Sequence, residues 1–414
     1  MRKIASTEGP EEAEDQPQSL RCEKSLSGEQ QHEMIPLREA SSRQRLLSLA
    51  DVLSRMRNSK APFRNARGSA AKRADHHTVL VNSATDTAWA QPDPALARLT
   101  HVFHQEWHGI RAASGYAPGQ KIAITADRQL ASSDLQRVVA ECAVRQTDAI
   151  VFQGFSGNSE DLIRLIRREF GRSIRLYCVW HGSTSQFHFN HELDRFARLI
   201  ELRAKGVLDG VGCVKPQMHL LSPHIHVQTV LNYPPRIAPE NNSRAEIRRA
   251  ALIPTPNNWW KNFYSNLFVA ANSPRLDAVY VTSAFARKEH LPIRARVVNI
   301  GPLRRPGLFR IIRRIDVMLN VTLSECQPMS ALEGIAHGVP CLTGPLSLGT
   351  LDEHPYQRLV QVAGTGSLGD LSRALDRLLE MRERHPAELA QMLKNYSSML
   401  CAEASRRYLE FTQS

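Results

Sequence analysis

The chain of 414 residues is 42% hydrophobic and 23% charged, the composition of a globular protein large enough for two domains of ordinary size. No apolar run approaches the ~18 residues that a bilayer-crossing helix needs, which excludes a membrane-spanning segment of that kind. The formal net charge of +12 predicts an anionic partner, and nucleic acid, an acidic membrane surface and phosphorylated substrates all meet that requirement.

Residues 1–75 are rich in Glu, Gln, Ser, Arg and Lys without a sustained period, and few of them are aromatic. Such a segment buries too little apolar surface to offset the entropy of ordering it, so we predict a disordered extension. Its first residues lack the apolar core of a secretory signal. The seven cysteines are odd in number and form no Cys-x-x-Cys pair, which predicts the cytoplasm and no zinc site.

Short apolar runs alternate with amphipathic stretches from residue 76 to residue 240. Strands are predicted at 78–81, 121–124, 149–152 and 176–180, and a helix is predicted over 162–170. Strands that alternate with helices indicate a mostly parallel sheet with helices on both faces. We therefore predict an N-terminal Rossmann-like domain over 76–240.

A second series of alternating elements follows a polar linker. Its predicted elements are strands at 250–254, 277–282, 296–300, 316–321 and 340–343 and helices near 260–271, 307–314, 329–337 and 367–382. They predict a C-terminal Rossmann-like domain over 244–395, followed by a helix over 396–414 that crosses back to the first domain. The fold class is therefore α/β, with two Rossmann-like domains facing each other across a cleft. Ligands of open α/β sheets bind at the carboxyl ends of the strands, which here face the cleft.

The most informative segment covers 324–340. Glu325 lies on a strand-to-helix loop, and Glu333 lies about one turn into the following helix. Pro328 suits a first helical turn, where its missing N–H costs nothing, and Gly338 suits the C-terminal cap. A loop that enters a helix N-terminus presents free N–H groups and the positive end of the helix dipole to an anion such as a diphosphate.

Two glutamates separated by seven residues and followed by small-x-Gly-x-Pro and a strand are similar to the signature of the retaining glycosyltransferases of the GT-B fold, family-four or group-one type. In that family the first glutamate contacts the donor sugar and the second holds the ribose hydroxyls, so the resemblance assigns these roles to Glu325 and Glu333. It implies transfer of a hexosyl group from a UDP-, GDP- or ADP-sugar to an acceptor hydroxyl, with retention of configuration and without a catalytic metal. An ordinary strand-loop-helix with surface glutamates is the alternative.

The family also has a lysine at the turn after the first strand of this domain, where it contacts the donor diphosphate. Lys261 corresponds to it, and a solvated lysine at a helix start is the alternative. The arginine that usually precedes this lysine is absent from 255–260, so the phosphate clamp is either incomplete or completed by another residue such as Asn258. The nucleobase is expected near the loop after the strand at 296–300, which adds Gly301 and Leu303 to the donor site. The phosphates are expected near the start of the helix at 329–337, which adds Met329 and Ser330.

His181 follows the last of the four predicted N-terminal strands and is the candidate catalytic residue of the first domain. The resemblance suggests this role, because the family places a histidine there that reaches the donor sugar; a structural histidine is the alternative. The glycine-rich loop that the family has after its first strand is not recognisable in 82–85. His188, His191 and Glu192 match no zinc-motif spacing, so no metal site is expected.

The resemblance implies a glycan or lipid-linked acceptor that is bound by the N-terminal domain, as in the assembly of bacterial-type surface polysaccharides. Basic residues cluster near 164–175, 195–205 and 304–314. These clusters fit both a peripheral contact with the anionic inner face of a membrane and ordinary solvated helix faces. Nucleic acid is not expected, because zinc-finger spacing, an aromatic RNA-binding signature and a basic arm are all missing. A GT-B protein that binds a nucleotide sugar without transferring it is the second interpretation.

Overall fold

The computed structural model describes residues 93–126, 128–145, 147–236, 248–285 and 293–413, together with the backbone of residues 80–82. The predicted disordered extension and the predicted domain boundary at 240–244 lie outside these ranges. Residues Ala70–Ser414 form one compact unit, and the described part of that unit contains two α/β domains.

The N-terminal domain is built on a mostly parallel sheet. Its strands are β1 (Leu80–Asn82), β2 (Leu99–His104), β3 (Gln120–Ile124), β4 (Ala149–Gln153), β5 (Arg175–Trp180), β6 (Gly210–Cys213) and β7 (Val227–Thr229). Its helices are α1 (Pro94–Ala97), α2 (His108–Tyr116), α3 (Ser132–Val144), α4 (Gly157–Phe170) and α5 (Asn190–Ala204). The strand order is β1-β3-β2-β4-β5-β6-β7, and every described pair except β1 with β3 is parallel.

The C-terminal domain has a fully parallel sheet over its described residues. Its strands are β8 (Ala250–Ile253), β9 (Ala278–Val281), β10 (Arg296–Asn299), β11 (Val317–Asn320) and β12 (Cys341–Thr343). The helices that follow the linker are α6 (Phe263–Asn272), α7 (Arg305–Ile312), α8 (Met329–Ala336), α9 (Pro355–Val360), α10 (Leu368–Arg384) and α11 (Pro386–Gln413). The strand order β10-β9-β8-β11-β12 is that of a Rossmann half with two further strands. The predicted architecture of two Rossmann-like domains is confirmed.

The first parallel strand of the N-terminal sheet is β2, which the sequence pattern did not predict. All of its residues are buried, but two of them are histidines, and these interrupt the apolar run that the pattern requires. His101 Nε2 bonds to the carbonyl oxygen of Pro118 at 2.9 Å, and His104 Nε2 bonds to Ser156 Oγ at 2.7 Å. The strand predicted at 78–81 corresponds instead to β1, which is antiparallel to β3. The loop after the first parallel strand therefore begins at residue 105 and not at residue 82.

The central strands of the second sheet are buried on both faces. Ala251 and Leu319 contribute to one apolar cluster, whereas their neighbours Leu252 and Met318 contribute to another. Alternate side chains of a strand point to opposite faces, so helices must cover the sheet on both sides. The carboxyl ends of the strands are then the edge of this sheet that remains open to a ligand.

Helix α8 packs closely against β11. A Cβ atom on Gly334 would lie 2.8 Å from Met318 Sδ and 2.9 Å from the carbonyl oxygen of Val339, so only glycine allows this approach. The helix ends before Gly338, whose φ of +69° is the left-handed conformation predicted for its C-terminal cap. This packing fixes the position of Glu333, the neighbour of Gly334, relative to the end of β11.

Helix α11 begins on the second domain and ends on the first. Near its start, Tyr396 Oη donates to Gln357 Oε1 at 3.1 Å. At its end, Tyr177 Oη, on β5, donates to the carbonyl oxygen of Thr412 at 2.8 Å. The predicted crossing helix is the second half of this longer helix.

Several basic residues of the predicted surface clusters lie beside carboxylates. Arg164 and Arg198 lie 2.8 Å and 2.9 Å from Glu160, and Lys205 lies 2.5 Å from Glu201. Ion pairs along exposed helix faces are typical of solvated surfaces, so they favour that interpretation of the clusters. Along the described ranges, no helix combines the length and the apolar composition that crossing a bilayer requires.

Candidate functional site

A cleft of about 770 Å³ opens at the carboxyl ends of both sheets. Its lining residues include Gly154 after β4, His181 after β5, Pro254 after β8 and Asn320 at the end of β11. Both sheets reverse their strand order at this place, the first between β2 and β4 and the second between β8 and β11. Such switch points are where open α/β sheets bind their ligands, and the volume is in the range of ligand pockets.

Lys261 and Glu325 meet at the switch point of the second sheet. Lys261 ends a short 3₁₀ turn after β8, and Glu325 lies on the loop between β11 and α8. Lys261 Nζ donates to Glu325 Oε2 at 2.5 Å. An ammonium group has three donors, so Lys261 can hold this carboxylate and still bind an anion. The N-terminus of α8 adds a second positive element at the same place.

Glu333 connects the two domains within the cleft. Its Oε1 atom accepts hydrogen bonds from Tyr116 Oη at 2.7 Å and from Arg305 Nε at 3.1 Å. Tyr116 belongs to α2 of the first domain, whereas Glu333 belongs to α8 of the second. Burial and the nearby charge of Glu333 raise the pKa of Tyr116, so its hydroxyl stays protonated and remains a donor. Arg305 also lies over the ring of Tyr116, 4.9 Å from the centroid.

His181 is held by Gln153 at the end of β4. Gln153 Oε1 can only accept, so His181 Nε2 carries the proton of their 2.8 Å hydrogen bond, and His181 Nδ1 keeps its lone pair. The amide orientation of Gln153 follows from its Nε2 atom, which lies 2.9 Å from His101 Nδ1 and 3.1 Å from Tyr408 Oη. Burial lowers the pKa of His181 to about 4, so the ring is neutral at neutral pH.

The segment around Glu325 contacts the first domain directly. Cys326 Sγ donates to the carbonyl oxygen of His181 at 3.2 Å, and the backbone N–H of Asn232 donates to Gln327 Oε1 at 2.6 Å. The backbone of His181 therefore lies against the segment that carries Glu325, and His181, Lys261 and Glu325 all line the cleft. Burial raises the pKa of the Cys326 thiol well above its usual range, so the thiol stays protonated and is unsuited to act as a nucleophile.

The other predicted donor-site residues divide into two groups. Leu303, Met329 and Ser330 line the cleft, whereas Asn258 and Gly301 do not. The carbonyl oxygen of Asn258 accepts the Lys261 amide at 3.0 Å, and Gly301 has a φ of +65° in the turn after β10. Asn258 therefore shapes the turn that carries Lys261. Its side chain, the candidate for the place of the missing arginine, is not part of the cleft lining.

Three arginines that were not predicted as site residues line the cleft, namely Arg111, Arg195 and Arg305. Arg305 is the first residue of α7, directly after the predicted nucleobase loop, and Arg111 lies in the first turns of α2. Burial, followed by the positive charge of Arg305, lowers the pKa of Arg111. Two guanidinium groups close enough to repel each other favour an anion between or beside them. Arg305 was overlooked because its neighbours form a basic surface cluster.

The loop between β2 and α2 follows the first parallel strand, where the resemblance had implied a glycine-rich loop. It carries Trp107 rather than a run of glycines, and Trp107 lines the cleft. Gly154, after β4, has a φ of +83° and leaves the space that the side chain of Trp107 occupies. A Cβ atom on Gly154 would lie 2.8 Å from both Trp107 Cζ3 and Ile110 Cδ1. The sequence signal was a glycine after β4 and not after the first strand.

His104, at the end of β2, makes the folding stability of the protein dependent on pH. Its ring centroid lies 4.0 Å from that of Trp107, and burial lowers its pKa from 6.5 to about 4. A histidine of the unfolded chain binds a proton first as the pH falls, so the stabilisation is complete above pH ~6.5 and is lost toward pH ~4. His104→Gln is expected to remove about 2 kcal/mol from the difference in unfolding free energy between about pH 7 and about pH 5.

Urea denaturation at both pH values measures this difference. His385→Gln changes an exposed histidine and is expected to keep the wild-type pH dependence. The same pH dependence in wild-type protein and His104→Gln would show that folding does not lower the pKa of His104.

The histidines near the start of α5 are engaged in other contacts. Glu192 lies 3.3 Å from His191 and 2.6 Å from Arg195, and the ring of His188 packs edge-on against Trp259. In the part of the chain that the structure describes, no group of three or more His, Cys, Asp and Glu side chains is arranged to hold a metal ion.

No protein-family model matches the sequence, and no curated protein matches it. The structure is similar to that of sucrose-phosphate synthase from Thermosynechococcus elongatus, with a TM-score of 0.50 and 14% identity over 76% of this chain and 97% of that chain. It is also similar to a UDP-forming α,α-trehalose-phosphate synthase from Burkholderia xenovorans, with a TM-score of 0.48 and 12% identity over 77% and 99% of the two chains. The likeness to the first of these, together with the two facing Rossmann-like sheets, shows that this chain has the GT-B fold.

Proposed function

We propose that the protein is a retaining glycosyltransferase that moves a hexosyl group from a nucleotide sugar to an acceptor hydroxyl. The observation that carries the proposal is the pair of Lys261 and Glu325 at the switch point of the second sheet, in a cleft that His181 also lines. A lysine, a carboxylate and a helix N-terminus at this edge suit a donor that has both a diphosphate and a polar sugar. The motif resemblance and the GT-B fold support the same function independently.

The cleft suggests a role for each residue. Lys261 and the N-terminus of α8 bind the diphosphate, with Arg305 or Arg111 in place of the arginine that is absent before Lys261. Glu325 contacts the donor sugar, and Glu333 accepts hydrogen bonds from the ribose hydroxyls. Leu303, Met329 and Ser330 line the path of the nucleotide between these groups.

In the proposed reaction the bond between the anomeric carbon and the diphosphate oxygen breaks, and a bond from the acceptor oxygen to the same face of that carbon forms. The diphosphate takes the acceptor proton and leaves as the nucleoside diphosphate. The main task of the protein is to stabilise the charge of the leaving group, for which fixed cations are the most effective means. The protonated Cys326 and the Glu325 carboxylate paired with Lys261 are poor candidates for a covalent nucleophile, which supports front-face attack.

The acceptor in this proposal is a glycan or a lipid-linked glycan, in the cytoplasmic assembly of a surface polysaccharide. The N-terminal domain contributes polar groups to the cleft for such an acceptor, among them Gln186, Glu192 and Arg195. The donor is a UDP-, GDP- or ADP-sugar.

A thermal-shift panel of UDP-, GDP- and ADP-sugars tests the proposal. A ligand that binds only the native state adds RT ln(1 + [L]/Kd) to its stability, or ~2.7 kcal/mol at ~100 Kd. We expect stabilisation by one nucleotide class and its loss in Lys261→Ala and Glu333→Ala. A folded protein that no nucleotide sugar stabilises would contradict the proposal.

A second candidate is a GT-B protein that binds a nucleotide sugar without transferring it. The specific observation in its favour is that Glu333 Oε1 already accepts from Tyr116 and Arg305, which leaves fewer acceptor positions for ribose. Release of free nucleoside diphosphate together with a glycosylated product separates the transferase from this alternative. Thermal stabilisation without any product from a broad acceptor panel would favour the non-catalytic protein.

A further inference from the structure

Four exposed apolar side chains lie beside the cleft, and we call them the apolar rim. They are Phe189, Leu193, Trp259 and Leu323, with 39%, 47%, 60% and 47% of their surface exposed. Phe189 and Leu193 belong to the first domain, and Trp259 and Leu323 belong to the second. Large apolar residues occur singly on most protein surfaces, so only a contiguous group of them suggests a function.

The contacts in the structure make the rim contiguous across both domains. The ring of Phe189 lies 5.8 Å from that of Trp260, which in turn lies 5.7 Å from the ring of Trp259. The Leu323 amide donates to the carbonyl oxygen of Trp260 at 2.9 Å. Leu193 lies one helical turn after Phe189, to whose carbonyl oxygen its amide bonds. The segments that carry the four side chains are therefore in contact with one another across both domains.

Each segment of the rim also contributes a charged residue to the cleft. Glu192 adjoins Leu193 in sequence, Lys261 is two residues after Trp259, and Glu325 is two residues after Leu323. These three charged side chains line the cleft, whereas the rim residues do not. The rim thus lies beside the cleft, next to Lys261 and Glu325 of the proposed donor site and Glu192 of the proposed acceptor site.

The chemistry of the substrates indicates what covers the rim. Every part of a nucleotide sugar except the base is polar or charged, and the base is expected on the side of Leu303. An apolar surface beside the sugar site therefore suits the other substrate. An anionic membrane surface is less suitable, because the adjacent cation Arg195 lies beside Glu192. One apolar chain that continues from the acceptor sugar satisfies both the position of the rim and its low charge.

We propose that the apolar rim is an acceptor subsite for an apolar aglycone, such as an alkyl chain, attached to the sugar that enters the cleft. This inference rests on the proposed transferase function and narrows its acceptor to amphiphilic glycosides. Full burial of one methylene group raises affinity by about fourfold. The rim is open on one side, so an eight-carbon chain is expected to gain at least about tenfold over a methyl group.

The test compares methyl and octyl glycosides of glucose, galactose, mannose and N-acetylglucosamine, each below its micellar concentration, by calorimetric titration of the full-length protein. We expect at least one octyl glycoside to bind about tenfold or more tightly than its methyl counterpart. Leu193→Asn/Leu323→Asn is expected to remove that preference. Leu368→Asn changes a leucine that is 50% exposed at the start of α10, away from the rim, and is expected to keep it.

Equal binding of methyl and octyl glycosides, or an octyl preference that persists in the double variant, would overturn the aglycone subsite. Binding to phosphatidylglycerol vesicles that requires the rim, without any octyl preference, would overturn it in favour of a membrane surface. The thermal shift with nucleotide sugars is measured on the same samples and is expected to be unchanged in Leu193→Asn/Leu323→Asn. A lost octyl preference with a normal nucleotide shift therefore concerns the rim alone, whereas an absent nucleotide shift in wild-type protein contradicts the transferase function itself.

Discussion

Lys261→Ala is expected to lower kcat/KM for glycosyl transfer by roughly 10²–10³-fold, the usual effect of removing one fixed group that stabilises developing negative charge. The departing diphosphate gains charge as its bond to the sugar breaks, so the interaction with Lys261 strengthens toward the transition state. The loss is therefore expected mainly in kcat and less in KM. The substitution also leaves the Glu325 carboxylate without its 2.5 Å partner next to the donor phosphates, which adds repulsion. Initial rates of nucleoside diphosphate release at varied donor concentration measure both constants.

Lys205→Ala is the matched control for this experiment. Lys205 also lies 2.5 Å from a glutamate, Glu201, but the pair is exposed at the C-terminal end of α5. Exposed pairs contribute little, and the variant is expected to keep the wild-type rate. A Lys261→Ala variant with unchanged kcat would remove Lys261 from the leaving-group site.

Glu333→Gln is expected to raise the Kd of the nucleotide sugar by roughly 10- to 100-fold, because hydrogen bonds to a charged group contribute about 1.5–3 kcal/mol. The amide keeps the shape of the side chain, but it replaces one acceptor oxygen with a donor that faces either Arg305 or the ligand. Calorimetric titration with the donor measures the change. Glu383→Gln changes the ion pair between Glu383 of α10 and Arg275, neither of which lines the cleft, and is expected to leave the Kd unchanged.

Tyr116→Phe is expected to act in the opposite direction from Glu333→Gln. Tyr116 Oη donates to Glu333 Oε1, so its removal frees an acceptor position of Glu333 for a ribose hydroxyl. A neutral hydrogen bond contributes about 0.5–1.5 kcal/mol, so the donor Kd is expected to fall by roughly 2- to 10-fold. A Kd that rises in Tyr116→Phe would mean that Tyr116 positions Glu333 for the ligand instead of competing with it.

The second domain could be predicted from sequence because its strands are nearly uniform in polarity. β11 and β12 are buried apolar runs, and the segment between them contains its own boundary signals in Pro328 and Gly338. These signals also placed Glu325 and Glu333 correctly on the loop and the helix. Local chemistry determines this region, so a local pattern was sufficient.

The first domain was harder to predict because its polar residues are buried in pairs that are distant in sequence. β2 contains histidines whose partners, Pro118 and Ser156, are separated from them by 17 and 52 residues. Tyr116 meets Glu333 across 217 residues. No periodicity within one segment can reveal a partner in another segment, so β2, Arg111 and Tyr116 were missed for the same physical reason.

The long reach of helix α11 has a consequence for how the protein is made. The buried side-chain amide of Gln153 donates a hydrogen bond to Tyr408 Oη, which lies 255 residues later in the chain. At the ~5–20 residues per second of protein synthesis, that partner emerges roughly 10–50 s after Gln153. During this interval the first domain exposes the apolar surface against which Phe411 later packs beside Tyr177. We therefore expect the protein to depend most on chaperones during this interval, when the N-terminal domain has been synthesised and helix α11 has not.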